Sequence, residues 1–147
     1  MSDWRRNLIE SPDDIARVLR DTHRIAVLGM KTEAQRGQPA FYVPEYMARA
    51  GYDIVPVPVY YPEVTEILGE PVYRTVSAVP GDVDMVNVFR RARDIDAHID
   101  DIIAKRPASV WFQLGIRNDP AAERFARAGI DVVQDRCLLV ELGAIGR

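Results

Sequence analysis

What this chain has little of narrows its function before any motif is read. Its single cysteine, Cys137, has no partner for an internal disulfide and supplies no thiolate cluster for a metal. No apolar run approaches the roughly 20 residues needed to cross a bilayer, which excludes a helical membrane span. The formal charge of −3 leaves no broad basic surface, so nonspecific binding to nucleic acid or to an anionic membrane has little electrostatic support. Any anion site must therefore be local. The opening Met1-Ser2-Asp3-Trp4-Arg5-Arg6 lacks the apolar stretch of a signal peptide, and with the lone cysteine this points to a soluble protein of the reducing cytoplasm.

What is present is a chain of 147 residues, 48% hydrophobic, enough for one well-buried core, and the expectation is one domain spanning residues 1–147. Ser11-Pro12-Asp13-Asp14 opens a helix, with a capping hydroxyl, proline at the first helical position and acids at the positive end of the dipole; Ile15, Val18 and Leu19 give it an apolar face. Ile25 to Leu28 is a short run of apolar, mostly branched residues, as in a parallel strand buried on both faces. A helix follows from Pro39 to Ala50, closed by Gly51, with Pro44 placed in its first turns. Tyr52 to Val59 reads as a second strand that Pro56 and Pro58 carry out of the ladder. Between Tyr60 and Pro80 the pattern is irregular: Ile67-Leu68-Gly69 suggests one turn, Val72-Tyr73 a short strand and Val76 to Val79 a short helix. Regular alternation then resumes, with strands at Asp84–Phe89, Ser109–Leu114 and Ile130–Val133 and helices at Asp94–Lys105 and Asp119–Ala128. Strands alternating with helices across short links give an α/β fold: a three-layer, doubly wound, mainly parallel sheet of five to six strands with helices on both faces.

In such a sheet the ligand lies beyond the carboxyl ends of the strands. The first end, Gly29 to Pro39, carries Lys31, Thr32 and Arg36 beside a helix N-terminus, where phosphates are held. Another carries Arg90 and Arg91, so up to four cations can converge on an otherwise acidic chain, which suits a phosphorylated nucleotide. Gly29 is expected to let the backbone come close to that ligand. A nicotinamide dinucleotide fits less well. Gly29-Met30-Lys31-Thr32-Glu33-Ala34 lacks the G-x-G-x-x-G spacing, and strand two ends in Pro56-Val57-Pro58 rather than in an acid for the ribose. A P-loop is absent.

Six segments then coincide with a family pattern: Ile25-Ala26-Val27-Leu28-Gly29, Tyr42-Val43-Pro44-Glu45-Tyr46-Met47, Gly51-Tyr52-Asp53-Ile54-Val55-Pro56-Val57, Val86-Asn87-Val88-Phe89-Arg90, Trp111-Phe112-Gln113-Leu114-Gly115-Ile116 and Gln134-Asp135-Arg136-Cys137-Leu138. In order and spacing they resemble the small stand-alone CoA-binding proteins, a family similar to the N-terminal CoA-binding domain of the succinyl-CoA synthetase alpha subunit. The resemblance implies a Rossmann-like fold that holds coenzyme A, or an acyl-CoA, by its nucleotide-diphosphate end at the C-terminal edge of the sheet. It implies a pocket formed by Gly29, Met30, Lys31, Thr32, Arg36 and Pro39 after strand one, Val57 and Pro58 after strand two, and Phe89 and Arg90 further along. Where the family commonly reads Pro-Val-Asn-Pro, this chain has Pro56-Val57-Pro58-Val59, so the asparagine amide is missing.

No catalytic group is assigned. His23 precedes strand one, away from the binding edge, and His98 falls mid-helix. Cys137 follows a strand end beside Arg136, which would favour a thiolate, although an unpaired cysteine ordinarily packs as a small apolar residue. Trp111 and Phe112 read as core, whereas Tyr60-Tyr61 lies in an irregular loop where adenine stacking is conceivable. Three functions stay open: a CoA-binding protein without catalysis of its own, an NAD(P)-dependent oxidoreductase, and a regulatory module acting through a protein partner or as a homo-oligomer.

Overall fold

The computed structural model describes residues 3–146; Met1 and Ser2, which began the N-terminal reading, and Arg147 lie outside that range. Five strands form one parallel sheet: β1 (Arg24–Leu28), β2 (Asp53–Val57), β5 (Met85–Val88), β6 (Ser109–Phe112) and β7 (Asp131–Val133), in the order β2-β1-β5-β6-β7. A separate hairpin pairs β3 (Glu66–Ile67) with β4 (Glu70–Pro71). Because β1 neighbours both β2 and β5, chain order reverses between β1 and β5, and this defines the topological switch point.

Alternate residues of each strand feed two cores. Ile25, Val27, Ile54, Met85, Trp111 and Val133 pack beneath α1 (Pro12–Asp21), α2 (Pro39–Arg49) and α5 (Leu138–Ala144). Ala26, Leu28, Val55, Val86, Val110 and Phe112 pack against α3 (Ile99–Lys105), α4 (Asp119–Arg127) and the buried valines 76, 79 and 83. Apart from the polar or charged residues that open β1, β2, β6 and β7 and Asn87 within β5, the strands are apolar because neither face meets water. Side-chain caps mark two helix starts: Ser11 accepts from the Asp14 N–H, as the sequence implied, and Asn118 accepts from the Ala121 N–H.

Several elements differ from expectation for identifiable reasons. Strand two stops at Val57 rather than Val59, because Pro58 has no N–H to continue the ladder. Ile67-Leu68-Gly69 is not an isolated turn: Leu68 (φ 54°) and Gly69 (φ 74°) form the two-residue bend of the β3–β4 hairpin. Val72-Tyr73 is not a strand. It leans on the sheet through one bond, Tyr73 N–H to the Pro56 carbonyl at 3.0 Å, and Pro56 has no N–H to return. Val76 to Val79 is a turn rather than a helix, since the Asp101 carboxylate accepts from the Val76 and Ser77 N–H groups at 2.8 and 3.2 Å. The helix expected from Asp94 begins instead as a 3-10 segment, Ala92–His98, with no side-chain cap, and becomes α-helical at Ile99. Two short 3-10 turns, Trp4–Asn7 and Glu33–Gln35, and α5 had no counterpart in the sequence reading.

Pro44 lies inside α2, past the opening turn where an N–H would have no helical acceptor. Its missing N–H leaves the Ala40 carbonyl free, and the Lys31 N–H takes that carbonyl at 3.1 Å. A proline inside a helix thus fastens the loop that follows β1.

Candidate functional site

The switch point is built from three strand ends tied together by backbone bonds. The Gly29 N–H donates to the Val57 carbonyl at 2.9 Å and the Phe89 N–H to the Leu28 carbonyl at 2.8 Å. Gly29 has φ 86°, and a Cβ there would stand 2.4 Å from the Phe89 carbonyl oxygen. Glycine is required here because the end of β5 crosses directly over it, a constraint within the fold that the sequence reading did not include. Met30 then turns into the core, 1% exposed. Thr32 caps the following 3-10 turn, accepting from the Ala34 N–H at 3.2 Å, while the Gln35 side chain returns to the Thr32 N–H at 3.0 Å. Gln38 occupies the N-cap of α2 without capping it through its side chain; its Oε1 instead accepts from Lys31 Nζ.

Over the switch point lies a groove of about 450 Å³, lined by Lys31, Gln38, Pro39 and Ala40 from the first loop and helix, Phe89, Arg90, Arg91 and Ala92 after β5, and Gln113, Leu114, Gly115 and Ile116 after β6. Of the ten residues expected at the site, Lys31, Pro39, Phe89 and Arg90 line this groove and Gly29 supports it from below. The other five do not line it. The Met30 and Val57 side chains are core, Pro58 is buried, Thr32 is spent on its cap, and Arg36 turns outward to Glu45 at 3.8 Å. Arg91, expected among the converging cations, also lines the groove, whereas Gln38 and the Gln113–Ile116 turn were not named as site residues, although the position of that turn after an apolar run was the available signal.

The electrostatics are local, as the composition required. Arg90 Nε is sealed from solvent with no hydrogen-bond partner, and its Nη2 stands 3.9 Å from Asp94. Arg91 donates to the same Asp94 carboxylate at 2.9 Å, and that hydrogen bond, with the charges of the neighbouring arginines, holds the carboxyl below its usual range. The groove thus gathers three cations, Lys31, Arg90 and Arg91, the two arginines paired with Asp94, beside the first turn of α2, where the Phe41 and Tyr42 N–H groups already return to the Gln38 carbonyl and the Ala40 N–H is the one without an intrahelical acceptor. His98 is half-buried, and burial first, the Arg90 charge second, hold its imidazole below the ordinary value, against Asp101 and Asp94. A second hollow of about 480 Å³ lies at the β7 edge, lined by Trp4, Leu8, Arg117, Asp119 and Arg136 among others. It is slightly larger, but its arginines are already engaged, Arg117 with Asp119 at 3.1 Å and Arg136 with Glu141 at 2.9 Å, and it is not at the switch point. Cys137 is half-buried at the start of α5, and the Arg136 expected to act on it points to Glu141 instead. Trp111 is core, donating through Nε1 to the Arg136 carbonyl at 2.8 Å.

A doubly wound parallel sheet with a cationic groove at its switch point defines a nucleotide-type α/β binding fold. Residues 23–143 match the family described as CoA binding domain, and the chain belongs to that family. It is 30% identical over 130 residues to a Bacillus subtilis (strain 168) protein, Uncharacterized protein YneT, covering 88% of this chain and 93% of that protein. It is also 33% identical to the solved cell-free ID.343 from Thermus thermophilus, with a TM-score of 0.84 over 92% of this chain and 99% of that one. A dinucleotide forming Acetyl-coenzyme A synthetase 1 from Ca. Korarchaeum cryptofilum shares the fold at 18% identity and a TM-score of 0.62, over 74% of this chain and 25% of that protein. Among the described residues no helix is long and apolar enough to cross a membrane.

Proposed function

We propose that this protein binds coenzyme A or an acyl-CoA in the switch-point groove, with the nucleotide-diphosphate end on Lys31, Arg90, Arg91 and the first turn of α2. The observation that carries the reading is Arg90: a guanidinium whose Nε is buried without an acceptor, on the rim of a groove that also holds two further cations. A buried unpaired donor costs about 1–3 kcal/mol, and more on a charged group, and a phosphate oxygen reached by a small shift of the side chain relieves it. The family membership names the ligand class. NAD(P) is the weaker candidate, because β2 ends in Val57, fully buried, with no carboxylate there to take ribose hydroxyls. The role is binding, with no catalytic residue assigned, and cytoplasmic location remains part of the proposal. Calorimetry against CoA, dephospho-CoA and NAD tests it: CoA binds most tightly, and equal indifference to all three ends the reading.

A further inference from the structure

Gln113 closes β6 on the wall of the groove and is 3% exposed. Two backbone groups fix which way its amide points. The Trp111 carbonyl can only accept, so Asn87, directly across the β5–β6 ladder, turns its Nδ2 toward it at 3.3 Å. The same Nδ2 donates to Gln113 Oε1 at 3.3 Å, and the Leu138 N–H approaches that oxygen at 3.5 Å. Both contacts require an acceptor, so Oε1 faces inward and the Nε2 amino group faces the groove. Nε2 has no partner among the described residues and is not one of the sealed polar atoms, which are Asn87 Oδ1, Arg90 Nε and Ser109 Oγ. The molecule therefore holds one uncharged donor, on a side chain otherwise buried, open to the groove opposite its cations. Leu114 and Ile116 make the same wall apolar.

We propose that Gln113 Nε2 hydrogen-bonds an amide carbonyl in the pantetheine arm of CoA, and that Asn87 is the positioning residue that keeps this donor turned outward. This rests on the CoA reading above. The division of labour follows from chemistry: the three cations suit the phosphates, whereas an apolar wall with one neutral donor suits an uncharged chain carrying carbonyls. Because the donor is prefixed by its neighbours, little ordering is needed when the ligand arrives.

Calorimetry compares CoA, acetyl-CoA and adenosine 3′-phosphate 5′-diphosphate, which is CoA without its arm, on the wild type, Gln113→Met and Asn87→Leu. Both variants should lose about tenfold in affinity for CoA and acetyl-CoA alike, the worth of one hydrogen bond, while the armless nucleotide binds as before. Equal loss for the armless nucleotide, loss for acetyl-CoA alone, or no loss overturns the proposal. Wild type that ignores both CoA and the nucleotide overturns the CoA reading with it. In case a variant fails to fold, the side-chain amide resonances of Gln113 in the wild type give the same answer: they shift on adding CoA and stay put on adding the armless nucleotide, and the reverse overturns it.

Discussion

Replacing Gly29 with alanine tests how the switch point is built. At φ 86° any side chain is strained, by about 1–2 kcal/mol. The added Cβ would also stand 2.4 Å from the Phe89 carbonyl oxygen and 3.1 Å from its carbon. To reach ordinary contact that carbonyl would have to retreat by about 1 Å. It cannot do so freely, because the Phe89 N–H is bonded to Leu28 at 2.8 Å. Overpacking of this kind adds about 1–3 kcal/mol. Gly115 is the internal control: its φ is 87°, yet nothing stands within 4 Å of its absent Cβ. Gly115→Ala should therefore cost only the strain, about 1–2 kcal/mol, and Gly29→Ala about 2–5 kcal/mol. In thermal unfolding a loss of about 3 kcal/mol lowers Tm by on the order of 6–12 °C for a chain of this size. Since Arg90 follows Phe89, Gly29→Ala should also weaken ligand binding. Equal Tm losses in the two variants would refute the steric account of Gly29.

Three further predictions concern the groove and its surroundings. Arg90→Gln should weaken CoA binding by about 10- to 100-fold, as for one charge-assisted hydrogen bond, and flatten its salt dependence in calorimetry. Hydrogen exchange should find the Lys31 amide protected although it lies in a loop, because the carbonyl that Pro44 leaves free accepts it; Pro44→Ala, which restores a competing N–H, should speed its exchange. Burial, then Arg90, lowers the His98 pKa below 6.5, so the unfolded chain takes up a proton in mild acid that the folded chain refuses. Stability should accordingly be level above about pH 7 and fall as pH drops through 6.5 toward the lowered folded value, and His98→Gln should remove that slope in thermal melts.

The order of strands and helices was legible because each strand is a short, mostly apolar run buried on both faces and helices carry start or stop signals such as Ser11 or Gly51. What was not legible depends on distant partners. α5 begins at Leu138 after an N-cap, Cys137, that makes no side-chain cap, so nothing local announces it, and the 76–79 turn exists because Asp101, on another element, accepts its N–H groups. At the site, Lys31 and Arg90 could be named from their position after β1 and β5, and Pro39 and Phe89 from the family resemblance, and all four line the groove. Arg36 could not be told from them, since only the folded chain sets Glu45 beside it. At Gly29 the sequence marks a backbone that needs room, and only the register of β1 against β5 shows that the Phe89 carbonyl occupies it.

The most direct test of the central claim is titration of the isotopically labelled protein with CoA, followed by backbone amide resonances. The account predicts saturable shifts concentrated at Lys31, Gln38, Ala40, Arg90, Arg91, Gly115 and Ile116. Shifts centred on the β7-edge hollow at Leu8, Arg117 and Gln134, or no saturable shifts at all, would contradict it.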